Sequence, residues 1–235
     1  IKTFSKVYVE LKYPDKSFDL MYKQIIDFKK SLEKDVLARI AIYINDINTI
    51  GTKFYHDDNI NYVKFDSTIP GIFQECSSLE EVEIPSSVTE IGDFSFAGCR
   101  SLFNVKLPSS IRKIGKCAFT GCQSLFSIKL PLTIDAIEDY TFPSCSSLSD
   151  IIIPPNVKRI GNYAFAGCSS LKSIEIPLLV KDIGYCTFMD CESLVKISIP
   201  SINRIDSLTF KNCSSLIQIT ISPGVKEIEF QAFSS

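Results

Sequence analysis

The sequence is poor in the residues that carry most enzyme chemistry. Its 235 residues include no tryptophan, two methionines and a single histidine, His56, which stands beside Asp57 and Asp58. Nucleophilic and zinc sites usually depend on histidine, and we predict that this one lies in a solvated polar loop. No glycine-rich phosphate loop is present either. The sequence therefore predicts a protein that is not an enzyme and that uses no cofactor and no metal.

The sequence also lacks an excess of one charge and a long apolar run. Lysine and arginine total 25 and aspartate and glutamate total 27, which gives a net charge of −2 and no basic surface for nucleic acid. No stretch approaches the ~18 apolar residues of a membrane-spanning helix. Residues 1–13 carry Lys2 and Glu10 instead of the apolar block of a signal peptide. We expect no nucleic-acid partner, no membrane insertion in this segment, and a chain that is a fragment or processed form.

What the sequence has in abundance is repetition. A cysteine recurs every 23 residues, with one spacing of 22, and a phenylalanine precedes and a leucine follows each cysteine by three residues. A fixed period of this length indicates a solenoid, in which each unit buries its apolar face only against its neighbours. The repeated cysteines are Cys76, Cys99, Cys122, Cys145, Cys168, Cys191 and Cys213.

Each unit predicts a strand, a proline turn, a second short extended stretch and a compact return. In the unit that begins at Cys76, the apolar Val82 and Ile84 alternate with Glu81 and Glu83, which is typical of a strand with one buried face. Proline ends the strand because it cannot donate to a sheet ladder. The predicted fold is a mainly β repeat solenoid with stacked parallel strands and short return turns.

The pattern weakens toward the N-terminus. Regular 23-residue repeats begin at residue 76, and degenerate ones extend back to about residue 37, so the solenoid is predicted over 37–235. Within the degenerate part we expect a strand at Ile60, Val63 and Phe65, parallel to the others. Residues 1–36 are predicted to form an α/β cap, with one strand and an amphipathic helix that covers the open end of the stack.

Nine cysteines raise the alternatives of disulfides, a zinc site or free thiols. Seven occupy one repeat column, where neighbouring strands lie about 4.8 Å apart, farther than the ~3.8 Å between the Cβ atoms of a disulfide. Cys117 and Cys186 stand outside this column, five residues before a repeated cysteine. We expect a ladder of buried free thiols, with some disulfides or a metal site as the alternatives.

The outward positions of the first strand are the candidate binding surface. The buried columns hardly vary, whereas the outward ones change at every repeat, which is typical of a solenoid recognition surface and also of unconstrained solvated residues. The predicted binding residues in these two columns are Glu81, Glu83, Asn104, Lys106, Ser127, Lys129, Asp150, Ile152, Ser173, Glu175, Lys196 and Ser198.

Phe103 and Phe126 form a further candidate within a neighbouring column. They occupy the same position in adjacent units, where the other repeats have Glu80, Ser149, Lys172, Val195 and Ile217. If both rings are exposed, they would provide an aromatic anchor for a protein ligand. The alternative is that they close the edge of the core.

Two units illustrate a resemblance to a known family. The segments CSSLEEVEIPSSVTEIGDFSFAG (76–98) and CSSLKSIEIPLLVKDIGYCTFMD (168–190) resemble the BspA-like leucine-rich repeat, in which proline follows the strand. The resemblance implies bacterial and protist proteins, often on cell surfaces, that adhere to host proteins and other cells. We therefore expect a protein-binding module for adhesion or recognition, located at the cell surface or outside the cell. The alternative is a cytoplasmic scaffold for protein–protein interactions, which would suit reduced cysteines.

Overall fold

The computed structural model describes residues 49–50, 55–56, 63–64, 73–84, 86 and 88–234. The predicted cap at residues 1–36 lies outside the described residues. In the described part, the chain coils into a β-solenoid without any helix. The repeat therefore builds the predicted fold class.

Each coil contributes a front strand, which follows the repeated leucine, and a back strand, which follows the proline turn. Three short strands precede the regular coils: β1 (Thr49–Ile50), β2 (Tyr55–His56) and β3 (Val63–Lys64). The regular coils contribute β4 (Glu81–Glu83) and β5 (Glu90–Ile91); β6 (Asn104–Lys106) and β7 (Lys113–Ile114); β8 (Ser127–Lys129) and β9 (Ala136–Ile137); β10 (Asp150–Ile152) and β11 (Arg159–Ile160); β12 (Ser173–Glu175) and β13 (Asp182–Ile183); β14 (Lys196–Ile199) and β15 (Arg204–Ile205); β16 (Gln218–Ile221) and β17 (Glu227–Ile228).

Successive coils pair in parallel, with each residue opposite its counterpart one repeat away. In the front strands Ile128 stands opposite Ile151, and in the back strands Ile160 stands between Ile137 and Ile183. All five isoleucines are buried. The apolar positions of each strand therefore point into one continuous core between the front and back walls.

The return segments form a third wall that contains a stack of phenylalanine rings. The ring centroids of successive coils are 5.3–5.7 Å apart from Phe73 to Phe210, with interplanar angles of 2–13°. Backbone hydrogen bonds cross between coils here as well, for example from Phe142 N to Ala164 O at 2.9 Å. The rings from Phe96 to Phe210 are almost fully buried, so this stack fills the core beside the return turns.

The first coils depart from the predicted pattern. β1 pairs directly with β5 in parallel, with Ile50 opposite Ile91. β2 and β3, however, pair antiparallel, with His56 opposite Val63. The expectation that all strands are parallel is wrong here, as is the prediction of a loop at His56. The spacing of apolar residues in a degenerate unit indicates a strand at residue 63 but carries no information about its direction.

Replacing one ring or one leucine in the middle of the stack tests the register of the core. Phe165→Ala should lower the free energy of unfolding by roughly 3–5 kcal/mol and Leu171→Ala by roughly 2–5 kcal/mol, because each leaves a cavity that the coils on both sides cannot fill. Phe126→Ala is the matched control, since that ring is 53% exposed, and it should cost about 1 kcal/mol or less. Denaturant unfolding monitored by circular dichroism provides the three values, and near-native stability of both core variants would contradict the assignment.

Candidate functional site

The outward side chains of the front strands lie together on one surface, which we call the front face. In the three-residue front strands the central residue is buried and its two neighbours point outward, because successive side chains of a strand alternate between its faces. The surface is continuous, since β6 lies beside β8 and β10 beside β12. The front face comprises Glu81, Glu83, Asn104, Lys106, Ser127, Lys129, Asp150, Ile152, Ser173, Glu175, Lys196, Ser198, Gln218 and Thr220.

Charges of both signs are interspersed on the front face. Lys106 contacts Glu83 in the preceding coil, with Nζ and Oε2 3.3 Å apart, and both side chains are more than half exposed. An exposed pair of this kind contributes little to stability, about 0–1 kcal/mol. The other front-face charges, including Lys129, Asp150 and Lys196, are likewise exposed. These charges are thus available to a ligand without a large energetic cost to the fold.

The C-terminal half of the front face contains a shallow concavity of about 500 Å³. Its polar lining comes from three neighbouring strands, β12, β14 and β16. Serine hydroxyls, an amide and charges of opposite sign are therefore close enough to contact a single ligand. The side chains at its rim are Ser173, Glu175, Lys196, Ser198, Gln218 and Thr220.

The two phenylalanines at the edge of the front face differ in exposure. Phe126 is exposed and Phe103 is only partly so. Two later members of the same column, Val195 and Ile217, are also exposed, and Ile217 reaches 84%. The exposed apolar surface at this edge therefore extends beyond the two rings to later members of the column.

The back wall carries an ion-pair network that the repeat pattern did not reveal. Arg159 binds Asp139 through Nη2 at 2.6 Å and also contacts Glu138 and Asp182, while Lys116 lies 3.1 Å from Asp139. Burial alone would raise the pKa of the Asp139 carboxyl, but these hydrogen bonds outweigh burial and lower that pKa. At a pH above the ordinary pKa of aspartate, the network therefore stabilises the folded state. This stabilisation is lost as the pH falls through the lowered pKa of Asp139.

The cysteine column has a structural role in hydrogen bonding. The thiol of Cys145 donates to the carbonyl of Phe119 at 3.1 Å, and that of Cys168 donates to the carbonyl of Phe142 at 3.3 Å. The same geometry recurs up to Cys213. The nine cysteines are thiols rather than disulfides, and six of the seven column cysteines are buried as predicted, whereas Cys213 is only partly buried. Among the described residues, no cluster of histidine, cysteine or acidic side chains could hold a metal ion.

This architecture is that of a leucine-rich repeat solenoid. The family model described as the BspA type leucine rich repeat region matches residues 70–195 and 135–235, with six copies. Since these ranges cover more than half of the chain, the protein belongs to the BspA-type leucine-rich repeat family. No curated protein sequence matches the chain.

Solved structures of bacterial leucine-rich repeat proteins have a similar fold. A leucine-rich repeat protein from T. pallidum is 24% identical over 83% of this chain and 74% of its own length, with a TM-score of 0.50. A second one, from Eubacterium ventriosum, is 19% identical over 83% of this chain and 58% of its own length, with a TM-score of 0.60. At these identities the likeness establishes the fold alone. The described part of the chain has no helix long and apolar enough to cross a bilayer.

Thiol reactivity should separate the buried column from the more accessible cysteine. Burial raises the pKa of the Cys145 thiol to about 12, so little of the reactive thiolate exists at neutral pH. We expect about nine free thiols in denaturant and very slow modification of the column in the folded protein. Cys117, which is only partly buried, should react first. Cys213 is also only partly buried, but burial raises the pKa of its thiol to about 12, so it should react more slowly.

The reaction with a thiol reagent is quenched at successive times, and mass spectrometry then identifies the modified cysteines. Cys117→Ser should remove the fast phase, and Cys186→Ser is the matched control because Cys186 holds the same repeat position but is buried. Rapid modification of Cys145 or recovery of disulfide-linked peptides would contradict the reduced-thiol assignment.

Proposed function

We propose that the protein is a non-enzymatic binding module that recognises another protein through the front face. The observation that carries this proposal is the contrast between columns. The core positions hold the same residue or a similar apolar one in every coil, whereas the front face changes from coil to coil and yet remains one continuous surface. A solenoid scaffold that holds a variable surface is typical of recognition by extended contact.

The chemistry of the front face favours a protein as the partner. Its charges are mixed, so it has no single-sign field for a polyanion such as nucleic acid. Apolar side chains accompany them, with Ile152 within the face and Phe126 and Ile217 along its edge. Protein interfaces combine such apolar anchors with a polar surround. The shallow concavity at β12–β16 would hold the centre of the contact.

We propose further that recognition takes place at a cell surface, in adhesion to host proteins or other cells. The family to which the chain belongs, with its resemblance to surface adhesins, supports this location. An intracellular scaffold is the second candidate, because nine cysteines that form no disulfide suit a reducing compartment. Antibody labelling of intact, unpermeabilised cells distinguishes the two, since only a surface protein is stained without detergent.

Reversing front-face charges tests the binding surface. The triple variant Lys106→Glu, Asp150→Lys, Lys196→Glu should weaken capture of the ligand by tenfold or more, about 1.4 kcal/mol. Each changed residue is exposed, so the unfolding midpoint should hardly move, with about 0.5 kcal/mol or less per position. Biolayer interferometry against a panel of purified extracellular-matrix and serum proteins, together with adhesion of coated beads to intact cells, provides the readout.

A matched triple variant on the back wall is the control. Glu90→Lys, Lys113→Glu and Lys181→Glu change the same number of exposed charges, in the same directions, on the back side of the solenoid. This variant should bind as the unmodified protein does. If it loses binding while the front-face variant retains it, the recognition surface lies on the back wall and the proposal is wrong.

A further inference from the structure

An apolar ridge stands exposed where three successive coils turn from the front strand to the back strand. Leu132, Leu178 and Leu179 lie in these turns, and Leu132 and Leu178 are 73% and 82% exposed. Pro155 holds the same position in the coil between them, and Ile152, three residues before it, is 75% exposed. Five exposed apolar residues grouped in three adjacent coils are unusual, whereas isolated exposed ones are ordinary.

The ridge is confined to these coils. The turn position occupied by Leu132, Pro155 and Leu178 holds Ser86 and Ser109 in the two preceding coils. The fold therefore places no apolar requirement on this position. A serine satisfies the same turn, so the leucines contribute nothing that the turn itself needs.

The residues of the ridge are arranged almost symmetrically about its middle coil. Along the turns the order is Leu132, Pro155, Leu178, with a leucine at each end. Along the front strands Ile152 pairs with Lys129 on one side, and Glu175 holds the equivalent position in β12 on the other. Ile152 thus has a basic neighbour in one adjacent strand and an acidic neighbour in the other.

We propose that the ridge is a self-association surface on which two copies of this chain pack face to face with their stacks antiparallel. A two-fold axis through Ile152 and Pro155 would place Leu132 of one copy against Leu178 of the other. The same axis would place Lys129 of each copy opposite Glu175 of the other, so that two pairs of opposite charge form across the interface. The surface is self-complementary, as a two-fold interface requires, and this charge complementarity identifies a second copy as the occupant.

The dimer is weak and reversible because the ridge is small. Five side chains bury much less than the ~1,600 Å² of a standard interface, which places the contact at the low end of specific association. We expect a dissociation constant of roughly 10–100 μM. The proposal does not depend on ligand binding by the front face, and its test uses the purified chain alone.

Sedimentation velocity from about 1 to 300 μM measures the association. The unmodified chain should pass from monomer to dimer across this range, and Leu178→Lys should raise the dissociation constant at least tenfold. Ile217→Lys is the matched control, since Ile217 is equally exposed but lies outside the ridge, and it should leave the constant unchanged. A chain that is monomeric at every concentration overturns the proposal, as does equal loss of dimer in both variants.

A charge swap tests the antiparallel arrangement itself. Lys129→Glu and Glu175→Lys should each weaken the dimer about three- to tenfold, because each leaves like charges opposed across the axis. The double variant should recover the original constant to within about threefold, since the swapped pair again meets opposite charge. Additive weakening of the dimer in the double variant would contradict the two-fold arrangement. If the chain forms no dimer and the ridge captures a different protein, the ridge is a surface for that partner and the proposal is wrong.

Discussion

Stacking of like residues at the spacing of a β-sheet is the constraint on which the rest of the structure depends. Neighbouring parallel strands lie about 4.8 Å apart, so every side chain of a coil has its counterpart in the next coil within contact distance. The phenylalanine stack follows this spacing closely, with centroids 5.1–5.7 Å apart. A core column therefore tolerates residues of similar size and shape, which must pack against their counterparts in both directions. The nearly unvarying core columns of the sequence are the direct result.

The cysteine column adds a polar requirement to this packing. The carbonyl of Phe142 accepts a hydrogen bond from Cys145 N in its own coil and a second from the thiol of Cys168 in the next coil. A buried carbonyl that lacks partners costs free energy, and the thiol supplies a donor in the volume of a small apolar side chain. Cysteine therefore recurs here because it is small and apolar and still links successive coils by a hydrogen bond.

The same constraint decides what could be predicted from the sequence. Strands such as β10, and the burial of Ile151, could be predicted from their positions in the repeat. In a periodic fold, residues that share a repeat position also share a packing environment. The antiparallel pairing of Tyr55 with Lys64 did not follow, since an aperiodic segment reveals no partner. The contacts of Arg159 could not be predicted either, because ion pairs between coils produce no periodic pattern in the sequence. The outward direction of the front-face side chains was predictable from strand alternation, but their partner was not, because solvated positions carry no packing constraint.

Because each coil contacts only its neighbours, a core residue obtains its burial from the coils on both sides. Phe165 stacks between Phe142 and Phe188, with ring centroids 5.6 and 5.7 Å apart, and both Phe165 and Leu171 are fully buried. The core columns at Phe165 are therefore covered from both sides. The same coil carries Ile152 of the ridge and part of the front face. A surface that must present a fixed array of side chains to a partner is best placed there, where the supporting columns are covered on both sides and the backbone is least free to open.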